Sequence, residues 1–409
     1  FPVCASRKGF ILPFFLFSAT AGQLSDKKNK AKIIQFIKFA EILLMIGAAL
    51  GFFFGSVPLL FLVLFLMGTQ SAFFGPVKYG ILPDHLQENE LIGGNALIET
   101  GTFISILLGT ILGGLLILAD NGPIIISVLV ISMALIGWIS SMSIPPTKAA
   151  APDIAIKYNF FVETFEIIQH VQKDPVIFRA ILGISWFWLF GATFLSQFPT
   201  FAREIIGGNE QIVTLFLAVF SIGIGIGSLF CNKLLKGEIA TTYVPLGILG
   251  MTVFTMDLYF ASINVLPGNS GTFVGITEFL NTFNHWRILV DLLGISICGG
   301  IYIVPLYAMV QDRAEDSYRS RAIACNNIIN ALFMVVSAVA ISLLLLNNYT
   351  VVEVFLIIAL LNGLVAIYIS SLLPEALVRS ILQWFFHTFY HVEVNGLENY
   401  KKLDDKAII

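Results

Sequence analysis

Apolar runs long enough to cross a bilayer, about 20 residues each, recur along almost the whole chain, and no other feature constrains the fold as strongly. In a bilayer only helices and closed barrels can satisfy their own backbone hydrogen bonds. Of the 409 residues, 57% are hydrophobic and 12% are charged. That charged fraction is about half of the value for soluble domains. The sequence therefore predicts an all-α, multi-pass membrane protein and excludes a soluble globular domain.

The apolar runs predict eleven membrane-spanning helices. The predicted spans are residues 9–23, 33–54, 57–82, 93–118, 122–144, 176–202, 211–234, 243–265, 286–310, 321–346 and 350–373. Lysine and arginine accumulate in the cytoplasmic loops of membrane proteins. If the loop around residues 27–38 is cytoplasmic, alternation of the spans places most of the 23 basic residues on that side. We therefore expect the central linker and the C-terminal tail to be cytoplasmic.

The longest connection, residues 146–175, separates five predicted spans from six. Residues 1–145 are the predicted N-terminal helix bundle, and residues 176–373 are the predicted C-terminal six-helix bundle. Residues 374–409 form an amphipathic tail. Five helices, a central linker and six more helices suggest two six-helix halves, with the first helix missing from the sequence.

Short motifs recur in the same order in both halves. Gly22 and the Asp26-Lys27 pair are echoed by Gly227 and the Asn232-Lys233 pair. A second series is echoed as well: Pro76, Tyr79, Asp84 and Asn95 correspond to Pro305, Tyr307, Asp312 and Asn326. Two parallel six-helix repeats are the plan of the major facilitator superfamily. The chain resembles that superfamily in its repeats, its linker and its charge asymmetry.

The stretch GQLSDKKNKAK resembles the loop that follows the second helix in that superfamily. Gly22 lets two helices approach closely, and Asp26 is suited to accept a hydrogen bond from, or face, the N-terminus of a neighbouring helix. The resemblance implies that Gly22, Asp26 and Lys27 form a latch that holds the two halves in one conformation. The alternative is a plain positively charged loop. Asn29 stands where the superfamily often has glycine, so the match is partial.

Ionisable residues at membrane depth are the next candidates, because each costs at least ~2.5–3.5 kcal/mol unless it faces protein or water. Four acidic residues fall within the predicted spans: Glu41, Glu99, Asp257 and Asp291. Asn95, Glu99 and Thr102 share one helix face, which predicts a wall of the substrate pathway. For Glu99 the alternative is a structural hydrogen bond between helices. Glu41 is a further pathway candidate, although a structural role explains Glu41 and the two aspartates equally well.

Lys78 lies near the end of a predicted span and is flanked by Gly75, Pro76 and Gly80. These residues loosen a helix, and an irregular polar segment is tolerated at membrane depth only against protein or a water-filled cavity. Lys78 is therefore a candidate ligand for the phosphate of an anionic or zwitterionic substrate. The alternative is a lysine that extends to the membrane surface.

Three stretches, KYGILPDHL, ELIGGNALIETGTFISILLGTILGG and GGIYIVPLYAMVQDR, resemble the bacterial lysophospholipid transporter family of the major facilitator superfamily. The resemblance implies alternating access of two helical bundles in the inner membrane. It also implies that the substrate is a lysophospholipid, chiefly lysophosphatidylethanolamine, flipped to the inner leaflet for reacylation. The family's first helix, with its acidic Asp-Asn motif, is absent from the sequence. The alternative is a proton-coupled exporter of drugs or metabolites, with Glu99 or Glu41 as the proton carrier.

The tail RSILQWFFHTFYHVEVNGLENYKK resembles the lead-in to a glycerolipid acyltransferase domain. It implies a partner or fused domain, such as a 2-acylglycerophosphoethanolamine acyltransferase with acyl-carrier-protein synthetase. The alternative is a helix that lies in the membrane interface. The catalytic His-x4-Asp motif of such enzymes does not follow His85, His285, His387 or His391. The chain itself is therefore not expected to be an enzyme, and no catalytic residue, cofactor, metal or nucleic-acid partner is predicted.

Overall fold

The computed structural model describes residues 2–372 except 118, 158, 264 and 266–272, together with residues 378 and 382; for residues 2–10 it describes the backbone alone. This part of the chain is helical, with one isolated β-bridge between Gly208 and Val274. The N-terminal half contains α1 (Pro2–Lys27), α2 (Lys30–Phe53), α3 (Val57–Gly80), the short α4 (Leu82–His85), α5 (Leu91–Leu116) and α6 (Gly122–Ser141). A linker helix, α7 (Phe160–Val171), precedes the C-terminal half, which contains α8 (Pro175–Thr200), α9 (Glu210–Leu235), α10 (Val244–Ser262), the short α11 (Ile276–Asn281), α12 (Phe283–Arg313), α13 (Arg319–Leu346) and α14 (Val351–Leu372).

Every predicted span coincides with one of these helices, but the count of membrane-crossing helices differs. Among the described residues, ten helices are long and apolar enough to cross a membrane, and α1 is not one of them. The sequence predicted eleven spans, with residues 9–23 as the first. The difference arises because α1 extends to Lys27 and carries polar or charged residues at both of its ends. Even so, α1 packs along α3 and α13 within the bundle.

Polar caps and left-handed residues set the helix ends. The Asn29 side chain accepts a hydrogen bond from the Lys32 backbone N–H at the start of α2. The Asp174 carboxylate accepts from the Val176 and Ile177 N–H groups at the start of α8, which satisfies donors that have no partner within the helix. At the end of α9, Lys236 and Gly237 adopt positive φ angles of 50° and 82° and turn the chain away.

The two halves meet along two seams, α1 against α13 and α5 against α9. The sequence repeat relates α1 to α9, α3 to α12 and α5 to α13, so the two seams are equivalent under the repeat. The loops around residues 27–30, 81–90, 236–243 and 314–318 lie at the same end of the bundle, together with the linker. We call it the basic end because the sequence places most lysines and arginines there.

The linker predicted at residues 146–175 contains an amphipathic helix, α7, which the sequence did not predict. Ile167 and Val171 of α7 are buried, and the helix packs on both α1 and α13. It therefore touches both halves at the basic end. The tail predicted at residues 374–409 lies outside the described residues, apart from residues 378 and 382.

Candidate functional site

Asp26 lies at the end of α1 and faces the N-terminus of α13 in the other half. Its side chain is 0% exposed, and its two oxygens accept hydrogen bonds from the Ser320 backbone N–H and the Arg321 Nε, each at 3.0 Å. The Ser25 hydroxyl also donates to the Ser320 hydroxyl at 2.9 Å. A carboxylate suits a helix N-terminus because the N–H groups and the helix dipole there are positive. The contact therefore joins the halves through charge-assisted hydrogen bonds.

Gly22, one turn earlier, lies against the same segment of α13. A Cβ at this position would be 2.8 Å from the Cβ of Ala324 and 3.0 Å from the Cα of Arg321. Only glycine allows this approach, because a larger residue would push the helices apart. Lys27 does not cross the seam: its ammonium group donates to the Ile154 carbonyl of the linker at 2.7 Å.

A second charged group at the basic end was not predicted. The Lys30 Nζ, which is buried, lies 2.8 Å from the Asp84 carboxylate. The Arg319 guanidinium of the other half lies 3.8 Å from the same carboxylate. Arg319 also donates to the Gln311 carbonyl at 2.8 Å. Asp84 belongs to the repeat motif, and that recurrence is the one signal that could have identified it.

Tyr79 and Tyr307, which the repeat relates to each other, stack between the two halves. Their ring centroids are 4.4 Å apart and their planes differ by 4°. The Tyr79 hydroxyl donates to Glu99 Oε1 at 2.6 Å. The Trp188 indole donates to the Tyr307 hydroxyl at 3.0 Å, and Phe103 stacks on Trp188. These contacts make an aromatic column at the centre of the bundle, and Trp188 was not among the predicted residues.

Glu99 and Lys78 lie beside this column. Glu99 is 0% exposed, and its second oxygen, Oε2, has no hydrogen-bond partner. Lys78 is half-buried, and its ammonium lies 4.5 Å from the centroid of the Tyr79 ring. Among the described residues, no carboxylate oxygen lies within 4.0 Å of the Lys78 ammonium nitrogen. The site thus holds a cation without a close counter-ion and a carboxylate oxygen without a donor.

Asn95 and Thr102 share a helix face with Glu99 but make other contacts. The Asn95 amide donates to Gln311 Oε1 at 2.6 Å, and the Gln311 amide donates back at 3.0 Å. This buried amide pair joins α5 to α12, and Gln311 was not predicted. The Thr102 hydroxyl donates to the Ile98 carbonyl of its own helix at 2.7 Å.

The remaining predicted residues divide between the site and the surface. Asn326 is buried beside Tyr307, and both of its amide atoms lack a hydrogen bond of good geometry. Asp312 is exposed at the end of α12. Glu41 lies in a separate cluster of α2 and α3, where it accepts hydrogen bonds from Lys38 at 2.8 Å and Gln70 at 2.9 Å. The structure therefore groups Lys78, Glu99, Tyr307 and Asn326 and leaves Glu41 and Asp312 apart.

A helical bundle of two related halves, joined by a central linker, is the architecture of a class of multi-pass membrane transporters. The sequence profile of the Major Facilitator Superfamily matches residues 8–280, and the chain belongs to this superfamily. Its fold is similar to that of the Escherichia coli fucose:proton symporter FucP (TM-score 0.64, 14% identity, 88% of this chain and 90% of that one). It is also similar to the human organic anion transporter MFSD10 (TM-score 0.67, 13% identity, 88% and 82%).

Curated relatives are more similar in sequence. The chain is 29% identical over 325 residues to a protein of Citrobacter koseri named lysophospholipid transporter LplT. The aligned region covers 78% of this chain and 73% of the relative. It is 28% identical over 327 residues to the protein of that name from an Enterobacter species, with 78% and 74% coverage. The predicted resemblance to this group of transporters is confirmed. The relatives are named as transporters, in agreement with the prediction that the chain is not an enzyme.

Proposed function

We propose that the protein moves lysophospholipids, chiefly lysophosphatidylethanolamine, from the outer to the inner leaflet of a bacterial inner membrane. One observation carries the proposal: Lys78 is half-buried near the end of α3, beside the Tyr79 ring, without a counter-ion within 4.0 Å. Glu99 compensates the Lys78 charge only from beyond 4.0 Å. A cation at membrane depth is costly, and a bound phosphate group would lower that cost. The relatives named lysophospholipid transporters give the substrate class.

The chemistry of the head group matches the two unpaired groups of the site. A lysophosphatidylethanolamine head has a phosphate and an ammonium group. In our proposal Lys78 binds the phosphate, and the Oε2 atom of Glu99, which lacks a donor here, accepts from the ammonium. The single acyl chain would lie along the aromatic column at Phe103 and Trp188, whose rings stack with centroids 6.2 Å apart.

Access to these groups requires the two halves to move. In this structure Glu99, Tyr79 and Tyr307 are buried, and the Asp26 contact joins the halves at the basic end. We propose alternating access, in which the halves rock about the central column and the Asp26 contact forms in one state and breaks in the other. The basic end, with the linker and the tail, would face the cytoplasm because of its lysines and arginines.

Uptake into proteoliposomes tests the proposal, with lysophosphatidylethanolamine and lysophosphatidylglycerol as the two substrates. The second lipid keeps the phosphate but lacks the ammonium group. Lys78→Ala should slow uptake of both lipids by about tenfold or more, which corresponds to ~1.4 kcal/mol or more of lost binding. Glu99→Gln should slow uptake of the ethanolamine lipid selectively. Lys148→Ala removes an exposed lysine of the linker and is the matched control.

Normal uptake of both lipids by correctly inserted Lys78→Ala protein would contradict the proposal. Transport of small soluble substrates driven by a pH gradient, without lysolipid uptake, would instead favour the proton-coupled exporter.

The lysolipid delivered to the inner leaflet would be the substrate of an acyltransferase with acyl-carrier-protein synthetase. We propose such an enzyme as a separate or fused partner.

A further inference from the structure

A charged cluster lies at the end of the bundle opposite to the basic end. Asp257 is near the end of α10, and Arg287 and Asp291 are in the first turns of α12. The Arg287 Nε donates to the Asp257 carboxylate at 2.9 Å, and the Arg287 Nη2 donates to its other oxygen. Two-point pairing of this kind fixes the guanidinium on a single carboxylate. Arg287 is therefore committed to Asp257 in this conformation.

Asp291 is the buried member of the cluster. The residue is 2% exposed, and its Oδ2 atom has no hydrogen-bond partner. Asp291 follows Arg287 by about one turn of α12, and its carboxyl group interacts electrostatically with the carboxyl group of Asp257. Two ionised carboxylates only accept hydrogen bonds, so a contact between them is repulsive unless one of them carries a proton. Protonation of Asp291 supplies the missing donor and removes a buried charge that Arg287, which is paired with Asp257, compensates only in part.

We propose that Asp291 is a proton-binding residue, held protonated against Asp257 in this conformation, and that it couples substrate movement to a proton gradient. The inference goes beyond the proposed function, which leaves open what drives transport. When the proton leaves, two carboxylates share one arginine, and the cluster changes from neutral to a net charge of −1. The packing between α10 and α12 that buries Asp291 is then disfavoured.

Water can reach the cluster from the end of the bundle opposite to the basic end, which we call the far end. A cavity of about 920 Å³ lies beside it, and its lining includes Phe260, Trp286, Arg287 and Val290. The Arg287 and Asp257 side chains are 53% and 39% exposed. A proton can therefore pass from the solution on that side to Asp257 and on to Asp291.

Other titratable groups at this end are occupied or exposed. His285 of α12 lies 3.0 Å from the Phe279 carbonyl, Arg203 pairs with Glu210 of α9, and Glu278 of α11 is exposed. Among the described residues, the charged groups that interact with Asp291 are Asp257 and Arg287. The protonation of Asp291 is therefore governed within the cluster.

The cluster and the candidate substrate site are on the same helix. The α12 helix continues from Asp291 to Tyr307 and Gln311. Tyr307 stacks on Tyr79, and Gln311 is hydrogen-bonded to Asn95. A shift of α12 that follows proton release at one end thus moves residues that contact the N-terminal half. This continuity provides a physical route for the coupling.

Infrared spectroscopy on the purified protein tests proton binding without any transport assay. Acid-minus-base difference spectra of the full chain should show the carbonyl stretch of a protonated carboxylic acid at neutral pH. Asp291→Asn should reduce that band by the contribution of one carboxylic acid, whereas Asp312→Asn, a change of the same kind at an exposed site, should leave it unchanged. A wild-type spectrum without the band would overturn the inference. A band that is lost only in Asp257→Asn would overturn the assignment to Asp291.

Uptake by proteoliposomes tests the coupling. Acidifying the compartment at the far end should accelerate lysophosphatidylethanolamine uptake several-fold in the wild-type protein. Asp291→Asn protein of normal melting temperature should lose this response. A gradient response that survives in Asp291→Asn overturns the coupling. If lysolipid uptake is absent altogether, the proposed function fails, and the infrared result still decides whether Asp291 binds a proton.

Discussion

The contact between Asp26 and α13 gives a quantitative prediction for the balance between conformations. Asp26→Asn keeps the size of the side chain but replaces one accepting oxygen by an NH₂ group. At least one of the two hydrogen bonds, to Arg321 Nε or to the Ser320 N–H, is therefore lost. A hydrogen bond to a charged group contributes about 1.5 to 3 kcal/mol. Arg321, whose side chain is 15% exposed, is left without its counter-ion.

That loss shifts the ratio of closed to open states at the basic end by ~10- to ~150-fold, at 1.4 kcal/mol for each factor of ten. Spin labels at two exposed residues, Lys28 in the N-terminal half and Glu315 in the C-terminal half, report the distance across that end. We expect a longer-distance population to appear in Asp26→Asn. Asp312→Asn, which removes the same charge from an exposed site, should leave the distribution unchanged. An identical distribution in both variants would refute the reasoning.

Two further predictions concern other contacts of the bundle. Gln311→Leu leaves the buried Oδ1 atom of Asn95 without its donor, which costs ~1–3 kcal/mol. Thermal unfolding should occur at a lower temperature, with recovery in the Asn95→Leu/Gln311→Leu double variant. A single variant as stable as the wild type would count against the pair. Burial raises the pKa of Glu163 in α7 above its ordinary 4.5, and Lys157 opposes this shift. Docking of α7 is therefore strongest below pH 4.5 and weakens as the pH rises through the folded-state pKa. Glu163→Gln should slow hydrogen exchange of α7 at neutral pH, whereas the exposed Glu166→Gln should not. Equal protection factors of wild-type α7 at acid and neutral pH, after correction for the intrinsic exchange rates, would be evidence against this linkage.

The sequence predicted the helices well because a membrane helix is a local feature. A run of apolar residues of bilayer length satisfies its own backbone, whatever its neighbours are. Linker helix α7 was missed because it is short and amphipathic and is stabilised by packing on α1 and α13 rather than by its own composition. The predicted span at residues 9–23 lies within α1, whose polar or charged residues at both ends keep it outside the ten described helices that are apolar enough to cross a membrane by composition.

The candidate site was predictable only where a residue type was improbable for its surroundings. Lys78 and Glu99 were identified because charge is costly in a membrane. Gln311 and Trp188 are ordinary in such a chain, and only the tertiary fold shows that they bond Asn95 and Tyr307. Nothing local distinguishes them. Asp291 was seen as a charge, but its role depends on Asp257, which lies on another helix.

Positions at which the two halves carry different residues are also informative, because each difference corresponds to a different contact in the structure. Asn95 of α5 corresponds to Asn326 of α13, so the position five residues earlier is Glu90 in one half and Arg321 in the other. At the α1–α13 seam, Arg321 binds the carboxylate of Asp26. At the equivalent α9–α5 seam, the amide of Asn232 lies near Gly93, at the start of the helix that follows Glu90.

Because Glu90 occupies the repeat position of Arg321, a carboxylate at position 232 would have no equivalent guanidinium to pair with, and an unpaired charge at a seam is costly. The exchange of aspartate for asparagine between the repeats is therefore explained by the partner that each residue meets. It also makes the seams unequal, because one is joined by charged hydrogen bonds and the other by neutral contacts. A motion that opens the basic end must break the charged contacts of the α1–α13 seam, and the α5–α9 seam offers no comparable resistance.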